Sequence, residues 1–420
     1  MKITKENYKY NNLSIPGGGY VTGFLYSKSE KDVLYARTDI GGVYRFDFDN
    51  QRWVSLVDHV SMEDISETFP ISIAIDENMP SRLYIASGIN GKDTGVLSVS
   101  EDYGDSFTYS VIPTMVHGNL NGRGTGERLI VDSTNSDILY FASQTGGLYK
   151  SADRGNNFTK LSSMPEDYLT FICQTPDGKA LVVGTAGVMT KRSETLRGWG
   201  LYVSFDEGEN FSKMWQPQDG EVEGIKLAGM VPQRWACDDN YLYVTFSVMG
   251  RNAYVLENGY SCDGGSVEYG RVVRYSLADL LANGEDITPV PSEEFGFSGI
   301  SKAGNTLAVS TISKEDGDCI YRSFDSGNNW ECILYGLETG KMRFRTSYMK
   351  PEYNGGGNLI HWLSCLAIDP FNEKEMWFNT GTGAFRTKNL TENVVVFNDY
   401  SDGIEETVHL NLYSPSAFMT

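Results

Sequence analysis

Apolar side chains along this chain recur at every second position in short runs, and the runs themselves recur. VLYART (33–38), LYIAS (83–87), ILYFAS (138–143), LVVGT (181–185), LYVTF (242–246), LAVST (307–311) and MWFNT (376–380) each read as a β-strand ending on small or polar residues. A shorter apolar run precedes several of them, as in ISIAID (71–76), LIVD (129–132) and LAID (366–369). Turn-forming Gly, Asn and Asp separate the runs. The unit returns about every 50 to 60 residues, the period of four-stranded propeller blades. A helical period shows only at LADLLA (277–282), where the pattern predicts one surface turn of helix.

A second repeat lies between the strands. Ser100, Asp102, Gly104 and Phe107 are echoed by Ser151, Asp153, Gly155 and Phe158, by Ser204, Asp206, Gly208 and Phe211, and by Ser323, Asp325, Gly327 and Trp330. In such a hairpin turn Asp caps backbone N–H groups, Gly supplies a positive φ, and the aromatic tucks under the turn. These aspartates therefore read as structural, and Trp53, Phe158 and Trp330 as core. FDFDNQRW (46–53) adds a unit before the first motif, residues 385–387 add one after the last, and a degenerate copy near Arg274, Tyr275 and Ser276 fills the remaining gap. The total is seven. The expected fold class is all-β, a seven-bladed β-propeller with Asp-box repeats over residues 1–400.

Composition narrows the function. With 40% hydrophobic and 21% charged residues, 45 Gly and 25 Tyr, the chain is globular and turn-rich. Its 55 acidic against 35 basic side chains give a net charge of −20, which excludes nucleic acid and anionic membrane surfaces as partners and favours a neutral one. No window approaches the roughly 18 apolar residues of a membrane span. Residues 1–10 (MKITKENYKY) lack the apolar stretch of a secretory leader, so either the protein stays inside the cell or a leader lies outside this sequence. Six cysteines without a C-x-x-C pair and four histidines argue against zinc and for buried free thiols. A bridge between Cys319 and Cys332, which flank a hairpin, is conceivable.

Candidate chemistry centres on TDIGG (38–42), where Asp39 stands at a strand end before two glycines that let other backbone approach closely. On physical grounds alone Asp39 reads equally as a catalytic carboxylate or as the cap of its turn. Glu127, next to Arg128, reads as an ion pair or turn anchor rather than an acid catalyst. Flat aromatic faces cover the apolar faces of sugars. The candidates for that role are Trp199, Trp235, Tyr353, His361 and Trp362, with core packing as the competing reading for each.

Several longer stretches resemble glycoside hydrolase family 74: GGGYVTG (17–23), KDVLYARTDIGGVYR (31–45), GRGTGERLIVDSTNSDILYFAS (122–143), KSADRGNNF (150–158), GMVPQRWACDDNYLYVTFS (229–247), GFSGI (296–300), LAIDPFNEKEMWFNTGTGAF (366–385) and GIEETV (403–408). The Asp boxes alone are less specific, since sialidases and other propellers share them. The resemblance implies an inverting hydrolase of xyloglucan or a related β-1,4-glucan, of the endo-glucanase type, whose cleft lies between two seven-bladed propellers. It assigns Asp39 as general base and places the 348–362 segment, with Tyr353, His361 and Trp362, along the cleft. The general acid belongs to a second motif of the T-D-I-G-G kind in the second propeller, about 6.5 to 9.5 Å from the base. No such second motif occurs in this sequence.

The expectation is therefore one wall of an active site, with residues 401–420 as a linker toward an absent second propeller and no turnover from this chain alone. No metal or organic cofactor is expected, because two carboxyls suffice. A polysaccharide substrate implies an extracellular location, against which the leaderless start leaves a cytoplasmic one open. The competing function is a non-catalytic carbohydrate- or protein-binding propeller.

Overall fold

The computed structural model describes residues 19–404 except 121, 189–196, 218–220, 223–224, 227–229, 250–266, 291–294, 313, 315–316, 335–341, 346–359 and 382. Among these residues seven antiparallel sheets follow one another as the blades of a propeller, and each blade is built from consecutive strands. Blade 1 spans residues 21–55, blade 2 70–112, blade 3 129–160, blade 4 169–213, blade 5 231–286, blade 6 296–334 and blade 7 366–399. Blade 7 carries a fifth strand at its outer edge, Met342–Arg345, parallel to Val395–Asp399.

The core lies between blades, not within them. Seven apolar clusters each join two neighbours, running from blades 1 and 2 (Tyr35, Leu56, Ile73, Ile85) round to blades 7 and 1 (Trp377, Ala384, Trp53, Phe46). Covered on both faces, the second strand of a blade loses the alternation of a half-exposed strand: Leu34–Thr38, Leu83–Ser87 and Thr306–Ile312 are buried at every residue.

Among the described residues no strand is exchanged between blades 7 and 1, and side chains and loops join them. Trp53 donates from its backbone N–H to Asp402 O (2.9 Å) and from its indole to Tyr400 O (2.7 Å). Asn379 Nδ2 donates to Val21 O (2.6 Å), and Trp377 Nε1 donates to Tyr26 Oη (2.8 Å). The Tyr26 hydroxyl in turn donates to Glu375 (3.0 Å), which is ion-paired with Arg386 (2.6 Å). The Arg386 guanidinium sits 5.1 to 5.4 Å from the rings of Phe46, Phe48, Trp377 and Tyr400.

The four Asp boxes, in blades 2, 3, 4 and 6, each set their glycine against a side chain of the preceding blade or of the residues that follow it. In the first, Ser106 N donates to Asp102 Oδ1 (2.9 Å) and Gly104 N to Ser100 Oγ (2.7 Å), and Asp102 is held down to about 2 by its hydrogen bonds with Ser106 and Ser100. Gly104 has φ +97°, and a Cβ there would come within 2.6 Å of Leu56 in blade 1. Trp53 is fully buried, Trp330 donates its indole N–H to Ile287 O (2.7 Å), and Phe158 packs against the core joining blades 2 and 3.

One local expectation fails. Residues 277–282 form successive turns, not helix, because the Asp279 carboxylate takes the N–H groups of Leu281 and Ala282 that a helix would use, while Leu280 packs into the core. The one helical element among the described residues is a 3-10 stretch, Met62–Thr68, joining blades 1 and 2. Cys319 and Cys332 are not joined by a disulfide, in keeping with the thiol reading, and Cys173, Cys237 and Cys365 are not bridged either.

Candidate active site

In an antiparallel blade the turn between strands two and three and the connection to the next blade share one end. On that end of the ring, Thr38 closes the strand Leu34–Thr38: its N–H donates to Gly42 O (3.1 Å) and its hydroxyl to Ile40 O (2.7 Å). The turn needs both glycines. Gly41 and Gly42 have φ of +96° and +111°, and a Cβ on Gly42 would lie 2.1 Å from Val57 Cγ2. Gly41 N donates to Thr68 O (3.1 Å), which ties the turn to the 3-10 stretch.

Asp39 projects from this turn with its side chain 16% exposed. Burial pushes its carboxyl up, while Arg123 and hydrogen bonds from the backbone of Asp39 and Ile40 pull it down, and burial prevails. Arg123 Nε stands 3.6 Å from Asp39 Oδ2. It arrives on the connection from blade 2 to blade 3, which crosses the centre of the ring and is held by buried arginines. Arg37 donates to Arg123 O (2.9 Å) and Thr125 O (3.1 Å), and Arg234 of blade 5 donates to Gly124 O (3.1 Å) and Thr22 O (2.6 Å). Gly126 N completes the crossing on Gln233 O (2.8 Å).

Glu127 belongs to this central network. Its carboxylate accepts from Arg37 Nε (2.8 Å), Ser72 Oγ (2.6 Å) and Ile73 N (2.9 Å), so its partner is Arg37 and not its neighbour Arg128.

Beside Arg123, aromatic rings continue the surface. The guanidinium lies 5.7 Å from the Tyr20 ring, Tyr20 O accepts from Asp39 N (3.4 Å), and Tyr20 Oη is hydrogen-bonded to Ser364 Oγ (2.8 Å). Trp362 meets Tyr20 edge to face at 5.3 Å and remains 45% exposed. His361 is exposed next to it, with burial of part of its ring pulling the imidazole down toward the neutral form. Asp39, Arg123, Tyr20 and Trp362 thus form one continuous face.

Trp235 does not join it. Trp235 is half-buried against the core of blades 4 and 5, with Lys28 Nζ 5.4 Å from its ring. Lys28 follows the strand Val21–Tyr26, whereas Tyr20 precedes it, so Trp235 sits toward the opposite end of the ring. Trp199 lies in the strand Arg197–Ser204, paired with Ala186, and its side chain is outside the described residues. Tyr353 is outside them altogether.

Sequence reasoning missed Tyr20, Arg123 and Ser364, although Tyr20 and Arg123 fall inside the GGGYVTG and GRGTGER runs. Among the described residues no three His, Cys, Asp or Glu side chains converge as metal ligands, and no helix is long and apolar enough to cross a membrane.

No family model matches the chain. Curated relatives do. A xyloglucanase of Paenibacillus sp is 30% identical over 98% of this chain and 42% of its own length, and the oligoxyloglucan-reducing end-specific xyloglucanase of Emericella nidulans is 27% identical over 99% and 56%. Among solved structures, the GH74 xyloglucanase of Xanthomonas campestris matches with a TM-score of 0.80 and 26% identity, over 98% of this chain and 58% of that one. A GH74 enzyme of Niastella koreensis matches with a TM-score of 0.76 and 25% identity, over 93% and 55%. The chain spans about half the length of the relatives it matches.

Proposed function

Since this chain is a relative of the family 74 glycoside hydrolases in both sequence and fold, we propose that it forms the Asp39 wall of a xyloglucan-hydrolysing cleft whose other wall is a second propeller. The observation that carries this is the meeting of Asp39, Arg123, Tyr20 and Trp362 on one end of the ring.

Asp39 acts as general base. Its half-buried carboxylate removes a proton from the water that attacks the anomeric carbon, while a protonated carboxyl of the second propeller gives its proton to the leaving oxygen. Desolvation strengthens the base by raising its affinity for a proton, and Arg123 opposes that rise by favouring the ionised form. Tyr20 and Trp362 offer ring faces to the glucan backbone or its xylose branches. The location that suits a polysaccharide substrate is outside the cell.

One observation favours a second reading. Backbone N–H groups of its own turn bond the Asp39 carboxylate, which is what a purely structural cap would require of a non-catalytic sugar-binding propeller.

Hydrolysis assays separate the two. The chain alone is expected to release no reducing ends from xyloglucan, and adding the second propeller of a relative is expected to create activity that Asp39→Ala removes. Efficient hydrolysis by the chain alone would overturn the assignment of the acid to a second propeller. Full activity of the Asp39→Ala assembly would favour the structural cap.

A further inference from the structure

One buried carboxyl takes no part in the chemistry above. Asp318 lies between the strands Thr306–Ile312 and Ile320–Ser323 of blade 6, at the Asp39 end of the ring, and is 1% exposed. Its Oδ1 accepts from Lys314 N (3.2 Å) and Thr311 Oγ1 (3.4 Å), and its Oδ2 accepts from Leu363 N (3.3 Å). The backbone N–H of Trp362 adds to the same carboxylate, and Asp318 N donates to Ile360 O (2.7 Å). Among the described residues, the groups that stabilise its charge are N–H and O–H dipoles.

What this carboxylate grips is unusual. Trp362 has φ +60°, a left-handed conformation that a bulky residue keeps only where its surroundings impose it, and such residues gather at functional sites. Its carbonyl is fixed by Asn379 Nδ2 (3.2 Å) and Ser364 N (2.8 Å), and its ring passes over Gly381, where a Cβ would stand 3.3 Å from Cε3. The backbone is held from beneath while the indole faces out beside Tyr20.

We propose that Asp318 is a positioning residue: its carboxylate, closed on the backbone of residues 362 and 363, holds the Trp362 indole in its outward pose on the Asp39 face. Protonation turns one carboxyl oxygen into a donor facing N–H groups, which removes an acceptor from the clamp. Burial pushes this carboxyl up to about 7, so the clamp is complete above neutrality and loosens below it. Among the described residues, the titratable groups around it are Lys314 on its own turn, Cys319 at its side with Cys332 beyond, and His361 on the gripped segment. The link from pose to sugar binding rests on reading Tyr20 and Trp362 as a glycan surface. The positioning itself does not.

The test labels the full chain with 5-fluorotryptophan and assigns Trp362 among the seven tryptophans by Trp362→Phe. Its 19F resonance is followed from about pH 5 to about pH 9, a range wide enough to bracket the transition. The native chain is expected to show a Trp362 shift with one near-neutral midpoint, unchanged in His361→Gln. Asp318→Asn is expected to show a displaced Trp362 signal that no longer titrates. A native Trp362 resonance that stays still, a titration surviving in Asp318→Asn, or one abolished by His361→Gln would each overturn the proposal.

Because the native titration decides the matter, failure of Asp318→Asn to fold does not block the test. In parallel, xyloglucan oligosaccharide is titrated by calorimetry, and its affinity is expected to weaken about tenfold, about one pKa unit in free energy, as the clamp protonates. A titrating Trp362 without sugar binding upholds Asp318 and overturns the glycan surface. Sugar binding with a static Trp362 does the reverse.

Discussion

Substituting Glu375 tests how the ring is closed. Its carboxylate is 7% exposed and serves both sides of the closing interface: Arg386 within blade 7 (2.6 Å), itself 4% exposed, and the Tyr26 hydroxyl of blade 1 (3.0 Å), 349 positions away. Glu375→Ala leaves a buried guanidinium without its counter-ion, which costs about 3 to 5 kcal/mol. The Tyr26 hydroxyl loses its acceptor, about 1 kcal/mol more. Four rings and Gln51 Oε1 (2.9 Å) still hold the guanidinium and offset about 1 to 2 kcal/mol. The net expectation is about 3 to 4 kcal/mol, read from urea transitions of native and variant chains.

The double variant Glu375→Leu, Arg386→Met removes charge and counter-charge together and is expected to recover most of that loss. Amide exchange in Val21–Tyr26 and Gly383–Thr387 is expected to accelerate first in Glu375→Ala, since these strands border the closing seam. A single-variant cost below about 1 kcal/mol, or a double variant as unstable as the sum of its parts, would refute the account of closure.

Two further substitutions probe the site. Arg123→Met removes the cation 3.6 Å from Asp39, so the Asp39 carboxyl rises further and the acid limb of hydrolysis moves to higher pH, with the plateau retained. An acid limb that stays in place or moves down would contradict this. Gly42→Ala forces a side chain to φ +111° against Val57 and is expected to cost about 1 to 3 kcal/mol in thermal stability, whereas a neutral substitution would show that the turn relaxes freely.

The blades were legible because each is built from consecutive strands: the repeat of Ser100 to Phe107 at Ser151, Ser204 and Ser323 marks four of them, and the strand period supplies the other three. The turn that carries Asp39 was legible for the same reason, since it is local: a strand end followed by two glycines that the backbone requires, whereas the role of Asp39 came only from the resemblance. The rest of the site is not local. Arg123 reaches Asp39 only because Arg37 and Arg234 pull its segment across the ring, and Tyr20 meets Trp362 only because blade 7 closes on blade 1. Trp235 looks like Trp362 as a residue type, and only its place near the Lys28 end of the ring distinguishes it. The LADLLA period misled because Asp279 competes for the backbone N–H groups a helix needs.

The role proposed for Asp39 is that of base in a two-propeller hydrolase. It is tested most directly by turnover of xyloglucan by this chain assembled with a second propeller, native against Asp39→Ala, with oligosaccharide affinity measured on the same samples. Turnover is expected to fall by about 10²- to 10⁴-fold, the worth of general base catalysis, while the dissociation constant changes little. Turnover within a few-fold of native, at unchanged affinity, would contradict it.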